Sequence, residues 1–222
     1  MKEKLLAIAI GITTSLVFGL WLLIKDIDTV CIILKVALSG FLSYGVYRLV
    51  FLGISWLLPQ ISFVKKWLYG KAYLDGTWIG AYLGASGKPR IFYEKYEQNY
   101  NSTLIKGYSF LLDKTPHTNW NNTSFSINLS EKVLFFTYST KSFTETTSGN
   151  GYGQFSIVYD IDKKYPVELQ GFSYDLHNRK QIPAIEQKLE DNLSNDKIIE
   201  KALAFYAQNK TFLEKQKSNL DL

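Results

Sequence analysis

The sequence predicts a membrane-anchored all-β protein. Two N-terminal transmembrane helices lead into a small up-and-down antiparallel β-barrel of about eight strands, followed by a C-terminal helix. Three observations carry that expectation. Leu5–Ile24 runs 20 residues without a charge, and a second apolar run extends from Val30 to Leu58. From Asp75 the pattern changes to period two, in short runs rich in Tyr, Phe, Thr and Ser separated by turn residues. From Ser194 a helical stripe appears. The expected domains are a transmembrane hairpin over 1–60, an interfacial linker over 61–74, a ligand-binding barrel over 75–177 and a helical segment over 178–222.

The hairpin comes first. A hydrocarbon core of ~30 Å takes about 20 apolar residues at 1.5 Å each. Leu5–Ile24 matches one span, and the second run is long enough for one span with tilt. The first run exceeds the ~7–15 apolar residues of a cleaved signal, and it ends in Trp21-Leu22-Leu23-Ile24-Lys25-Asp26 rather than a small-residue cleavage site. Two retained helices are therefore expected. Lys2 and Lys4 precede the first span, Lys65, Lys66 and Lys71 follow the second, and the loop Lys25–Asp28 between them is net negative. The positive-inside rule then places both termini and the soluble domain in the cytoplasm. Lys35 can snorkel from the second span to the nearby loop. Arg48 lies deeper, so it either snorkels or faces protein, water or a partner chain. Gly40, Ser43, Tyr44, Gly45 and Tyr47 give that helix a small-and-polar face suited to helix packing.

The net charge of +5 belongs to the anchor. Residues 1–70 hold seven Lys/Arg against three Asp/Glu, net +4, which leaves +1 for the remainder. A domain so nearly neutral has no footprint for a long nucleic acid. The one cysteine, Cys31, excludes an intramolecular disulfide.

The linker Ile61–Tyr69 is apolar with two lysines, as expected at an interface. Strand-like runs follow at Asp75–Gly84, Arg90–Tyr96, Thr103–Leu112, Thr123–Leu129, Val133–Thr140, Phe143–Thr147, Tyr152–Asp160 and Val167–Asp175. Short turns between neighbours favour a meander over a sandwich, and eight strands can close without free edges. Gly80, Gly84, Gly107, Gly153 and Gly171 fall in or at the ends of these strands, where a small barrel bends or a ligand nears the backbone. The tail from Gln181 reads as helical. Ser194-Asn195-Asp196 is its N-cap cluster, and Ile199, Ala202, Leu203, Tyr206, Phe212 and Leu213 form its stripe. Such a helix either caps the barrel mouth or contacts another protomer.

The search for chemistry finds no catalytic constellation, no cofactor motif and no metal site. His117 and His177 stand in loop-like contexts without partners at ligand spacing. There is no P-loop, dinucleotide fingerprint or nucleophile elbow. Asp160 and Asp162, followed by Lys163-Lys164, read as a solvated turn rather than an acid pair. The expected function is therefore binding rather than catalysis. Aromatics alternate along the strands beside hydroxyls and amides, a set that suits a planar polar ligand as well as core filling. The candidate ligand-binding residues are Trp78, Tyr82, Arg90, Tyr108, Thr137, Tyr138, Tyr152, Gln154 and Arg179. Bases stack on such rings for ~1–3 kcal/mol each. Arg90, Lys106, Arg179 and Lys180 are candidates to hold a phosphate.

Two transmembrane helices before a barrel that opens Leu74-Asp75-Gly76-Thr77-Trp78-Ile79-Gly80 resemble the two-transmembrane β-barrel effectors of CBASS anti-phage systems. The motif Gly76-x-Trp78 also resembles the barrel start of lipocalins. The effector resemblance implies a protein of the bacterial inner membrane, paired with a CD-NTase synthase. It implies that a cyclic dinucleotide or oligonucleotide enters the barrel, that the chain homo-oligomerises, and that disruption of membrane lipid kills the infected cell. The membrane-effector residues would be Arg48, Gly40 and Gly45. The alternatives are a membrane-anchored, lipocalin-like binder of an apolar ligand and a structural membrane protein that docks a partner.

Overall fold

The structure is a computed structural model that describes residues 2–24, 32–99, 102–143, 148–160, 165–176, 179–189 and 193–220. It comprises two units, Met1–Gly70 and Lys71–Leu222. The loop Lys25–Asp28, Cys31 and His177 lie outside the described residues.

In the first unit, helices α1 (Lys2–Ile24) and α2 (Ile32–Leu57) pack together, and a short helix α3 (Ser62–Tyr69) follows. Leu5, Ala9 and Thr13 recur every four residues and form the buried stripe of α1. The Lys4 ammonium donates to the Trp67 carbonyl at 3.0 Å and sits 4.8 Å from the indole centre, which ties α1 to α3. Among the described residues, one helix is by itself long and apolar enough to cross a membrane, Glu3–Leu23, with mean hydropathy 2.2. The expectation of two spans is thus met for one. In α2, Ser43–Leu57 qualifies only together with the helix after it, across a bend of 104°. A Cβ on Gly40 or Gly45 would meet nothing within 4 Å, and Tyr44 and Arg48 are exposed.

The second unit is a closed eight-stranded barrel. Its strands are β1 (Gly76–Leu83), β2 (Pro89–Gln98), β3 (Thr103–Phe110), β4 (Pro116–Asn128), β5 (Val133–Ser142), β6 (Ser148–Tyr159), β7 (Pro166–Asp175) and β8 (Lys180–Lys188). Each pairs antiparallel with the next, and β8 returns to β1 with Ala81 opposite Ile185. This is the expected meander with two corrections. β4 begins at Pro116 rather than Thr123, and of the expected Phe143–Thr147 only Phe143 is described, just past the end of β5 at Ser142. The eighth strand is Lys180–Lys188, in the segment expected to begin the helical tail. Pro183 forbids a helix interior there, and it is tolerated in the strand opposite Phe172. The barrel therefore runs to Lys188 rather than ending at 177, and the helix α4 (Asn195–Leu220) starts at the expected N-cap cluster.

α4 does not cover the mouth. It lies on the outer wall, where Ile198, Ile199, Ala202, Phe205 and Leu213 pack on Ile79, Ala81, Ile91, Tyr93 and Ile185. Strands β1, β2 and β8 are consequently buried on both faces over their centres, as in helix-covered sheets. The segment that leads into β1 closes one barrel end. The Gln98 amide accepts from the Leu74 and Asp75 N–H groups at 2.7 and 3.0 Å and donates to Ala72 at 2.9 Å. The Trp78 indole donates to the Leu74 carbonyl at 2.7 Å beneath a layer of Tyr96, Ile105, Leu134, Ile157 and Leu169. Gly76, at φ +122°, takes a backbone conformation that disfavours a side chain.

Phe205→Ala removes a buried ring from the α4 contact. It should lower stability by about 3 kcal/mol in urea unfolding of the detergent-solubilised chain. A loss below about 1 kcal/mol would show that α4 does not hold the wall.

Candidate functional site

Strand alternation places Trp78, Gly80 and Tyr82 of β1 inside, with Phe92, Glu94 and Tyr96 of β2 and Phe136 and Tyr138 of β5. In β4 an extra residue at Thr123 shifts the register between Asn122 and Ser124. Trp120 and Thr118 therefore face in before it, and Phe125 and Ile127 after it.

Glycines shape what space remains. Phe92 stands directly opposite Gly80, Trp120 opposite Gly107, Phe136 opposite Gly153, and Tyr138 opposite Gly151. A Cβ on any of these glycines would overlap the facing ring. Each aromatic thus lies across a glycine of the neighbouring strand instead of filling the centre. The result is a cavity of about 230 Å³. Its walls are Tyr82, Phe92, Trp120, Phe136, Tyr138 and Phe155, and Gly84, Ala85, His117, Asn150 and Asp175 form the open end.

Two carboxyls, Glu94 and Glu186, line the cavity and are each 1% exposed. Glu94 Oε1 accepts from the Trp120 indole N–H at 2.6 Å. Glu94 Oε2 accepts from no N–H or hydroxyl among the described residues, and the Glu94 and Glu186 carboxyls are hydrogen-bonded to one another. Glu186 Oε2 accepts from the Tyr96 hydroxyl at 3.4 Å, a long bond. Burial raises the Glu94 carboxyl to about 7, against the pull of its bonds to Trp120 and Tyr96. Burial and then the Glu94 charge push Glu186 well above the carboxylate range. At neutral pH the pair carries at most about one negative charge. Burial also raises the Tyr82 phenol, and raises Tyr138 to about 12, so both remain donors.

No Lys or Arg lines the cavity among the described residues. Cations collect outside its mouth. Lys88, Arg90, Lys141, Arg179 and Lys180 lie at the strand ends and turns of the open end. Arg90 stands opposite Tyr82, its Nη1 donates to the Pro89 carbonyl at 2.9 Å, and its Nε is buried without a partner among the described residues.

Of the residues expected at the site, Tyr82 and Tyr138 line the cavity, Trp78 lies buried beneath it, and Arg90 and Arg179 stand at its open end. Tyr108, Thr137, Tyr152 and Gln154 have the opposite parity and face outward. Tyr108 stacks near Tyr93 under α4, at 5.2 Å between ring centres. The Thr137 hydroxyl bonds those of Thr123 and Ser124 at 2.6 and 2.7 Å. Tyr152 stacks on Tyr174 at 5.3 Å, and Gln154 sits between Phe135 and Phe172 on the same outer face. Lys106 pairs with Glu97 on the surface at 3.2 Å. Sequence reasoning missed Glu94, Glu186, Trp120 and the position of His117 in β4. The available signal was parity, since Glu94 alternates with Phe92 and Tyr96. No group of three or more metal-ligating side chains occurs among the described residues.

No family model and no curated protein matches the sequence. Among solved structures the chain is similar to a de novo designed fluorescence-activating β-barrel, at 12% identity and a TM-score of 0.38, covering 54% of this chain and 97% of that one.

The carboxyl pair makes stability depend on pH. Both folded-state values lie above the ordinary 4.5. The folded barrel therefore binds protons more tightly than the unfolded chain, and the stabilisation is complete below about pH 4.5 and is lost as pH rises through 7. The barrel's melting temperature should fall by several degrees from pH 5 to pH 8, and Glu186→Gln should flatten that slope. Equal slopes in the two proteins would contradict the assignment.

Proposed function

We propose that the chain is a non-enzymatic receptor of the bacterial inner membrane, in which the barrel binds a cyclic di- or oligonucleotide and the membrane part delivers the response. The observation that carries this reading is the layering of charge along the cavity. Lys88, Arg90, Lys141, Arg179 and Lys180 lie at the strand ends and turns of the open end, beside Asp175; the aromatic walls suit a planar ring, and the floor is acidic. A cyclic nucleotide has the complementary order, with phosphates outside and a base that can be inserted. A cavity of about 230 Å³ lies below the ~300–1,000 Å³ of drug-sized sites, so it takes one base and not a whole cyclic dinucleotide. The Arg90 guanidinium, whose Nε–H has no partner among the described residues, would donate to a phosphate at the rim. The two buried acids disfavour the lipocalin-like alternative, because an alkyl chain would leave both unsolvated.

In this reading α2 is the second span, both termini and the barrel are cytoplasmic, and a CD-NTase supplies the ligand. Ligand binding favours one arrangement of the chain, and the population shifts towards it by that difference in affinity. Confinement to a bilayer raises the effective concentration of protomers and assists homo-oligomerisation. The exposed face of α2, with Gly40, Tyr44 and Arg48, offers close backbone approach and one charge to a neighbouring protomer, and the assembly disrupts the membrane.

The reading is tested with the full-length chain in lipid nanodiscs, screened by thermal shift against cyclic di- and trinucleotides. A ligand at 100 times its Kd should stabilise the barrel by about 2.7 kcal/mol. No shift with any of them would overturn the proposal. In cells carrying the synthase, Arg48→Leu should leave ligand binding intact and reduce killing. Undiminished killing would make Arg48 a snorkelling residue and nothing more.

A further inference from the structure

The floor of the cavity holds a feature that barrel stability does not require. Burying two carboxyls next to one another costs more than filling the same volume with apolar side chains. The space for them is built by three elements. β2 supplies Glu94 and β8 supplies Glu186, while between them β1 presents Gly80, which pairs with Glu186 on one side and Phe92 on the other. A side chain at Gly80 would overlap the Phe92 ring and the Ile185 carbonyl. Tyr96 and Trp120 each give one hydrogen bond from the flanks. The phenols of Tyr82 and Tyr138 stand on the walls, with His117 and Asp175 at the open end. No cation among the described residues lines this space to neutralise the acids. Apart from the Glu186 carboxyl, Glu94 Oε2 has no N–H or hydroxyl donor to accept from among the described residues. A buried acceptor left open costs about 1–3 kcal/mol, more when it is charged.

We propose that the Glu94–Glu186 pair is the receptor for an exocyclic amino group on a planar heterocycle, so that the barrel selects an amino-bearing base over one that carries a carbonyl in its place. This deepens the reading of the cavity as a cyclic-nucleotide site and rests on it. The two carboxyls are hydrogen-bonded to one another, and the lone pairs which that bond leaves over are the acceptors offered to a ligand. An amino group brings two N–H donors for the lone pairs that neither Trp120 nor the partner carboxyl occupies. Adenine, guanine and cytosine carry such a group. Uracil and hypoxanthine carry a carbonyl oxygen in place of that group, lone pair against lone pair, and keep a single ring N–H as donor. A site built to bond a donor rejects an analogue without it far more strongly than an apolar pocket does, because its own polar groups stay unpaired.

Hypoxanthine supplies the decisive control, since it is a purine without the amino group of either adenine or guanine. Full-length chain in nanodiscs at pH 7.5 is titrated calorimetrically with cyclic di-AMP, cyclic di-GMP and cyclic di-IMP. At least one amino-bearing ligand should bind tenfold or more tighter than cyclic di-IMP. Glu94→Gln and Glu186→Gln, both near-isosteric and checked by far-UV dichroism and melting, should bring that ratio to within about threefold. A second arm uses 2-aminobenzimidazole against benzimidazole, read by thermal shift. Protection by the amine alone, lost in both variants, supports the assignment even if no cyclic nucleotide binds, and in that case only the nucleotide reading fails. Equal binding of cyclic di-IMP, a preference that survives both substitutions, or no binding of either nucleotides or 2-aminobenzimidazole overturns it.

Discussion

The whole second unit depends on the return of β8 to β1. An eight-stranded sheet that fails to close leaves two unpaired edges and opens its interior to water. The seam is built from strands buried on both faces. Inside, Trp78 and Ala184 join the aromatic layer; outside, Ile79, Ala81 and Ile185 lie under α4. The helix is therefore part of the closure. Without Ile198, Ala202 and Phe205 over it, the seam would present an apolar face to solvent.

Closure also decides what the interior can hold. Eight strands leave room for side chains or for one small ligand. At the sealed end the choice is side chains: Trp78, Tyr96, Leu134 and Leu169 are almost wholly buried, and Gln98 ties the entering chain to the floor. At the other end four aromatics lie across four glycines, and this withdrawal of ring volume leaves a cavity. Glu94 and Glu186 sit where the two regimes meet. Trp120 holds one Glu94 oxygen, and the two carboxyls bond each other, which gives the cavity a polar floor. A defect in an apolar core would be lined by apolar groups.

Much of this was legible in the residues. The meander, the Gly76-x-Trp78 entrance, the helix start at Asn195 and the apolar helix α1 all follow from period, turn chemistry and capping. The faces were harder. In β3, β6 and β7 aromatics occupy both parities, because the outer wall is also lined with rings, as at Tyr152, Phe172 and Tyr174. Hydrophobicity alone therefore cannot orient those strands. The glycines orient them: Gly107, Gly153 and Gly171 mark the inward parity, which turns Tyr108, Tyr152, Gln154 and Phe172 outward. Thr137 had no such marker, since the extra residue at Thr123 reverses parity in the partner strand. β8 was hidden because Lys180–Lys188 is short and polar and runs towards a genuine helix. The two acids were hidden because a charge within a strand ordinarily marks its wet face.

The central claim is that ligand recognition takes place inside the barrel, with the base at the acidic floor and the phosphates at the basic rim. Photo-crosslinking with an 8-azidoadenine cyclic dinucleotide, mapped by mass spectrometry on the full-length chain, tests it most directly. The account predicts label on inward residues, Tyr82, Phe92, Trp120 or Tyr138, and its loss under excess unmodified ligand. Label confined to the outer stripe of Tyr152, Phe172 and Tyr174 would contradict it.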